Sequence, residues 1–338
     1  MNLLSRLLSE REWLMADGAT GTTLFNAGLM SGDAPEMWNF DNIPAIQALH
    51  DGFIAAGSDI ILTNSFGGTR ARLKLHKAED RAFAINQRAA EIARDRADRA
   101  GRPVVVAGSM GPTGEIMQPV GPLGHAEAVA MFEEQGRGLM AGGADVLWAE
   151  TISSEEEIRA VAEAAANIGA PLCATLSFDT AGRTMMGVTS SAYAALAPTL
   201  AGPPLAFGAN CGVGAADLVR TVLGLTEAAP DAVVIAKANA GIPKYVDGHI
   251  HYDGTPDLMA EYALLARDAG ARIIGGCCGT QPAHLVAMRA ALESHAKGPR
   301  PTLDDIAARL GGFSSGTDGV TGGDAPVSRH ERRGRRRG

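Results

Sequence analysis

Eight apolar, β-rich runs recur along the chain, at residues 14–20, 59–66, 103–111, 144–152, 171–179, 205–212, 232–240 and 271–280. Each closes on small or polar residues. Segments such as DIILT, VVVAG and AVVIA are continuously apolar, which is the pattern of strands covered on both faces. Between the runs lie stretches with helical periodicity at 44–56, 78–100, 125–141, 153–168, 190–200, 215–228, 256–269 and 281–295. Small-residue punctuation (AAGSD, AGGAD, IGAPL, DAGAR) precedes several of the next strands, as helix C-caps require. Ser153 ahead of Glu155, Glu156 and Glu157 predicts an N-cap followed by an acidic first turn. This strict eight-fold alternation predicts an α/β fold, a single (β/α)8 TIM barrel, with a doubly wound open sheet as the weaker alternative.

The same pattern sets the boundaries. Residues 1–12, MNLLSRLLSERE, form an amphipathic helical extension; the barrel spans 13–298; and 299–338 carries a short helix at 301–310 followed by a Gly- and Arg-rich tail. The tail has no apolar periodicity and is expected to be disordered. Two segments interrupt the alternation, 180–188 and 241–254, and both are expected to lie over the catalytic face.

A chain of 338 residues that is 46% hydrophobic, with 42 glycines, has room for one tightly packed α/β core. The formal charge of −8 is uneven: from Val327 onward six arginines stand against one acid, Glu331, which leaves the rest of the chain near −13. An acidic body argues against general nucleic-acid binding, and the arginine cluster reads as a solvated terminus. No apolar run approaches the roughly 18 residues of a membrane span, and the N-terminus lacks a small-residue cleavage site, so a cytoplasmic protein is expected. Four cysteines, two of them adjacent, do not make a disulfide framework at this length, and a reducing compartment suits free thiolates.

The chemistry concentrates in IIGGCCGT, residues 273–280, where Cys277 and Cys278 follow an apolar run between glycines. A third cysteine, Cys211, has a similar setting in AFGANCGVG. Three soft ligands at the ends of two strands can hold one Zn2+ and leave a coordination position free. Adjacent strand residues point to opposite faces, so Cys277 and Cys278 can share a metal only where the strand ends and the backbone bends; Gly275, Gly276 and Gly279 are the residues expected to permit it. Other readings are a redox dithiol or a structural zinc that only holds the fold. Cys173, in the middle of APLCATLSF, reads as a core residue.

In a barrel, chemistry gathers at the C-terminal strand ends, which carry Asp17, Asn64, Ser109, Glu150, Ser177, Cys211, Asn239 and the Cys277–Cys278 pair. Asp17 lies in DGATGT, where the backbone around Gly18 and Ala19 is expected to offer N–H groups to a carboxylate. Asp17 with Glu150 suits an ammonium, and together these groups describe an amino-acid site.

DGATGT, PEMWN, HDGFIAAGSDIILTNSFGGTR, GSMGPTG, AETI, GANCGVG, AKANAG and GGCCGT resemble, in order, the homocysteine S-methyltransferase family, over about residues 12 to 296. The resemblance implies a zinc-binding barrel in which Cys211, Cys277 and Cys278 hold the metal and the homocysteine thiol takes the fourth position. It implies that Asp17 and Glu150 hold the homocysteine ammonium, that Asn64, Phe66, Ser109 and Asn239 border the substrates, and that Asn239 occupies the fourth zinc position before substrate arrives or plays a structural role. The methyl donor is expected to be betaine or a methylcobalamin carried by a separate corrinoid protein. Betaine-type enzymes resemble the chain at Phe66 but have aromatics where it has Gly67 and Thr151, so an aromatic cage looks incomplete; Trp38, Phe40 and Tyr245 are the loop aromatics that would have to complete it.

Overall fold

The computed structural model describes residues 2–316 apart from 242, 243, 247 and 248, and no side chain within 242–251. Eight parallel strands form one sheet: β1 (Leu14–Met15), β2 (Ile60–Leu62), β3 (Val105–Met110), β4 (Val146–Ile152), β5 (Leu172–Leu176), β6 (Ala206–Cys211), β7 (Val234–Ala238) and β10 (Ala271–Gly276), with a small hairpin of β8 (Lys244–Val246) and β9 (His249–His251) between the last two. Their spatial order, β1-β10-β7-β6-β5-β4-β3-β2, is a ring opened at one point. An Ala16–Ile60 bridge and an Asp59 N–H bond to the Met15 carbonyl at 2.7 Å close it, so the sheet is a barrel and not an open doubly wound sheet.

The strands are short because only their apolar middles pair, and the polar residues that end each run pass into the βα loops. Helices cover the outside as the periodicity predicts, with small shifts in their ends. Ser154, not Ser153, caps the helix Glu155–Asn167: its side chain accepts the Glu157 N–H at 3.1 Å, leaving three glutamates in the first turn. Short helices after the first two strands, Thr20–Asn26 and Arg70–Leu73 among them, have no counterpart in the eight-fold pattern.

The N-terminal helix, Leu3–Glu10, belongs to the barrel core. Leu4, Leu7 and Leu8 fall on one helical face and join Leu14, Ile60, Val105, Val146, Trp148, Cys173 and Ile235 in the cluster that fills the barrel. Arg272 holds the helix end by donating to the carbonyls of Leu8 (2.6 Å), Arg11 (2.7 Å) and Glu12 (3.0 Å). Burying each leucine contributes about 1.5–3 kcal/mol, so this helix closes the lower end while the upper end stays open.

The chain beyond the barrel forms the expected short helix, Leu303–Leu310, with Ile306 buried. The expected disorder does not begin at once. Phe313 lies 4.6 Å from the Arg220 guanidinium, Ser314 N–H donates to Asp217 at 2.9 Å, and Arg220 donates to the Ser315 carbonyl at 2.9 Å. A buried arginine with spare donors supplied partners that periodicity does not reveal. The arginine cluster, within 317–338, lies outside the described residues.

Candidate active site

The three cysteines meet on either side of β7. Cys211 ends β6, Cys277 and Cys278 follow β10, and β7 runs between those two strands. Asn239, just past β7, ties both loops: its Nδ2 donates to the Gly212 carbonyl at 2.9 Å and its Oδ1 accepts the Cys278 N–H at 3.1 Å. The bends are not made as the glycines suggest. Among Gly275, Gly276 and Gly279, only Gly279 has left-handed backbone, at φ +78°. Gly275 and Gly276 serve close packing, since a Cβ on either would run into Ala16 or Thr280. Cys211 itself carries φ +63°, a conformation that costs a non-glycine residue about 1–2 kcal/mol and aims its sulfur at the other two.

The three sulfurs lie within 4.8 Å of one another, with Cys211 and Cys278 at 3.8 Å. A tetrahedral zinc with bonds near 2.3 Å needs sulfurs about 3.8 Å apart, so spacing and donor softness both fit that ion. Without a cation the cluster resists full ionisation. Bonds from the Cys211 and Cys277 thiols pull Cys278 down, and bonds to Cys277 and Cys278 push Cys211 far up. A divalent ion is what allows all three to be thiolates. Cys173, by contrast, is sealed in the barrel core, where burial pushes its thiol up.

Two polar residues around the cluster escaped the sequence reading. Asn210 is fully buried; its Nδ2 reaches Cys277 Sγ at 3.6 Å and Thr151 Oγ1 at 2.8 Å, while its Oδ1 accepts from Thr151 N–H (2.8 Å) and Thr175 Oγ1 (2.7 Å). The Tyr252 hydroxyl donates to Cys278. Both groups stabilise and orient sulfur.

The acids behave differently from each other. Asp17 is buried, does not border the cavity, and is fully engaged: Oδ2 accepts Leu62 N–H at 2.7 Å and Oδ1 accepts Lys237 Nζ at 3.0 Å. Lys237, which does border the cavity, is a further residue missed by looking only at strand ends; a lysine inside the apolar run VVIAKA was the available signal. Burial works against its charge, but Asp17, Glu150 and Cys277 outweigh burial and raise its pKa. Glu150 faces the cavity, accepts Ser109 Oγ at 2.6 Å, and is pushed up to about 7 by burial, against the pull of Lys237. Gly18 and Ala19 border the cavity too, but the Ala19 N–H is spent on the Thr280 carbonyl at 2.9 Å. Among the described residues, the cavity-bordering amides here without a hydrogen-bond partner are those of Gly18 and of Thr20, Gly21 and Thr22 in the first helical turn.

The cavity, about 370 Å³, opens outward past Phe66, Asn64, Glu36, Arg72 and His76. Asn64 ties the PEMWN loop to β2, donating to Pro35 O at 2.7 Å and accepting Asn39 Nδ2 on its carbonyl at 2.9 Å. Among the described residues Phe66 is the aromatic ring on the wall. Gly67 donates to buried Glu36 at 2.6 Å, and a Cβ there would crowd that carboxylate. Thr151 has φ +64° and is tied to Asn210. Trp38 packs on the core, and Phe40 lies 4.8 Å from Arg81, so neither completes a cage; the Tyr245 side chain lies outside the described residues.

A closed parallel barrel with three thiols beside an amino-acid-sized cavity at its C-terminal rim defines a class of enzyme that handles a sulfur substrate at a soft-metal site. Residues 14–292 match the family model for homocysteine S-methyltransferase, and the chain belongs to that family. It is a methyltransferase. Solved relatives include the homocysteine methyltransferase MmuM from Escherichia coli. Its metallated form is 25% identical with a TM-score of 0.73, and its oxidised form is 25% identical with a TM-score of 0.72; in each, 86% of this chain and 99% of that chain are covered. No helix among the described residues is long and apolar enough to cross a membrane.

Proposed function

We propose that the protein is a zinc-dependent homocysteine S-methyltransferase that forms methionine, with Cys211, Cys277 and Cys278 as metal ligands. The observation that carries this is the trio of sulfurs within 4.8 Å at the rim of the barrel. Zinc held there supplies the positive charge that keeps a substrate thiol as thiolate at neutral pH, where a free thiol near pKa 8.5 is mostly protonated. Glu150, oriented by Ser109, receives the homocysteine ammonium, and Asp17 acts through Lys237. The amide of Gly18, with those of Thr20, Gly21 and Thr22 beyond it, receives its carboxylate. Asn239, whose amide is used by both cysteine loops, holds the ligands in place. Asn64 and Phe66 border the donor.

The thiolate sulfur forms a bond to the methyl carbon as the donor's bond to that carbon breaks, and the released electron pair stays on the leaving atom. Alignment of three atoms is the main demand, and no general base is required. The donor is betaine or a methylcobalamin on a separate corrinoid protein. Phe66 is the one aromatic ring of the cage type on the wall among the described residues, so a quaternary ammonium is held there by other means or the methyl group is delivered by the partner. A cytoplasmic setting keeps the thiols reduced.

The test is methionine formation by the zinc-loaded protein with each donor in turn. Sulfur-edge X-ray absorption separates this reading from a structural zinc: homocysteine should add a fourth sulfur to the metal, and an unchanged spectrum would reject a catalytic site.

A further inference from the structure

Arg70 and Arg72 sit two residues apart on the helix Arg70–Leu73 and have opposite fates. Arg70 is spent: it pairs with Glu134 at 3.0 and 3.1 Å and with Asp80 at 3.0 Å. Arg72 borders the cavity, and its guanidinium makes no hydrogen bond or ion pair among the described residues; its backbone N–H alone is bonded, to Thr69 Oγ1 at 3.4 Å. The surface beneath it is built to hold it. Gly114, at φ +81°, leaves the room, since a Cβ there would come within 3.1 Å of Arg72 Cδ. The loop that carries Gly114 is fixed by Thr113, whose N–H and hydroxyl both donate to buried Glu157 at 2.8 Å. On the same outer wall lies the buried Glu36 carboxylate: burial raises its pKa, the Gly67 N–H at 2.6 Å and the unpaired Arg72 charge work against that rise, and no partner cation is bonded to it among the described residues.

A guanidinium with unused donors beside a cavity is a carboxylate receptor, and a separate buried carboxylate favours a cation. We propose that Arg72 is a specificity-determining residue that binds the carboxylate of the methyl donor, with Glu36 facing the donor's onium centre. This rests on the function proposed above and supplies by charge what the described residues do not supply as an aromatic cage. The ligand class is a small methyl-onium carboxylate, and ammonium and sulfonium members share that chemistry.

The experiment uses the full-length zinc-loaded protein, wild type, Arg72→Gln and Arg72→Lys. It measures zinc content, homocysteine Kd by calorimetry, and kcat and KM with betaine, S-methylmethionine, choline (no carboxylate) and methylcobalamin. Arg72→Gln should raise the KM of whichever carboxylate donor the wild type uses about ten- to hundred-fold while kcat and homocysteine Kd stay within about two-fold. Arg72→Lys should recover part of the loss, as a point charge without the bidentate fork. Betaine and S-methylmethionine then separate the ammonium from the sulfonium. Wild-type turnover of choline as efficient as of betaine, turnover with methylcobalamin alone, or a rise in homocysteine Kd with donor KM unchanged would each overturn the assignment. A wild-type protein that binds neither zinc nor homocysteine rejects the parent reading, whereas normal zinc and homocysteine binding with donor KM unchanged in Arg72→Gln rejects this one alone.

Discussion

At the deep end of the cavity the charged groups are partnered by the protein itself: Lys237 on Asp17 at 3.0 Å, Ser109 on Glu150 at 2.6 Å, and the amides of Asn210 and Asn239 on the cysteines and their loops. At the outer end Arg72 and Glu36 border the same space and make no pair with each other. The deep groups stand in or just past the strands of a closed barrel, where the backbone fixes them and burial forces each charge to find a partner. The outer groups stand on short helical turns between strands: Arg72 is partly exposed, where an unpaired charge costs little and stays available, whereas Glu36 is buried and held by the Gly67 N–H at 2.6 Å. Under the proposed function this is a division of labour: the deep half is preorganised around sulfur, and the outer half is left for the methyl donor.

The largest effects should come from breaking the deep half. Replacing Cys211, Cys277 or Cys278 by alanine leaves two thiolates, and each variant should lose most of its zinc and at least about a thousand-fold in activity. Cys173→Ala should keep both, because that sulfur is sealed in the barrel core. Metal analysis of the purified variants checks this, and full zinc content in Cys277→Ala would sink the metal site.

Next is the Asp17–Lys237 pair. Lys237→Met strands a fully buried carboxylate and should cost about 3–5 kcal/mol of stability. Adding Asp17→Asn removes the stranded charge and should return part of it, a recovery that denaturant melts of the single and double variants would show. Equal stability of wild type and Lys237→Met would mean that the deep half is not held by charge.

The same contrast explains what could be read from the chain. The cysteines, Asn64, Ser109, Glu150 and Asn239 were visible because the apolar runs have a regular period and polar residues at their ends have nowhere to be but the rim. Lys237 was hidden because its position is inside a strand, where the run reads as core and a charge is acceptable only with Asp17, 220 residues away, beside it. Ala19 was overvalued for a related reason: its amide looks free in DGATGT, and the Thr280 carbonyl that takes it comes from the other end of the barrel. Glu36 and Arg72 lie on short helical turns outside the eight-fold pattern, where only the folded cavity shows that two like-looking arginines, 70 and 72, differ in having partners.

A third prediction concerns pH. Glu150 is held near 7 in the ligand-free protein, so below that value it is neutral and above it a carboxylate that attracts an ammonium. Homocysteine affinity should therefore rise as pH increases through about 7, beyond any rise due to the thiol, and Glu150→Gln should remove that component at a cost of about ten-fold in affinity with zinc retained. The sign for stability is the reverse. Between the ordinary carboxyl value of 4.5 and about 7 only the folded protein holds this proton, so Glu150 contributes a loss of stability as pH rises across that window. Calorimetry from pH 6 to 8 on both proteins decides it, and parallel curves would remove Glu150 from the ammonium site.

The smallest effects are expected at the C-terminus, which asks whether the order of the deep half depends on packing from outside. The helix Ala215–Ala228 begins just after the Cys211 loop, and the segment that follows the barrel is pinned to it through Phe313, Ser314 and Ser315. Ending the chain at residue 316 keeps those contacts and removes only a stretch with no apolar periodicity, so melting and turnover should be unchanged. Ending it at 310 removes the Phe313 ring from Arg220, two hydrogen bonds from Arg220 to Ser315 and one from Ser314 to Asp217, which should cost about 1–3 kcal/mol. Because Asn239 and the β6–β7 register hold Cys211 independently of that helix, zinc affinity should survive the shorter cut. Metal competition titrations on the two truncated proteins test the point: zinc loss at 310 but not at 316 would show that the sulfur cluster is braced from the outer surface and that the deep half does not stand alone.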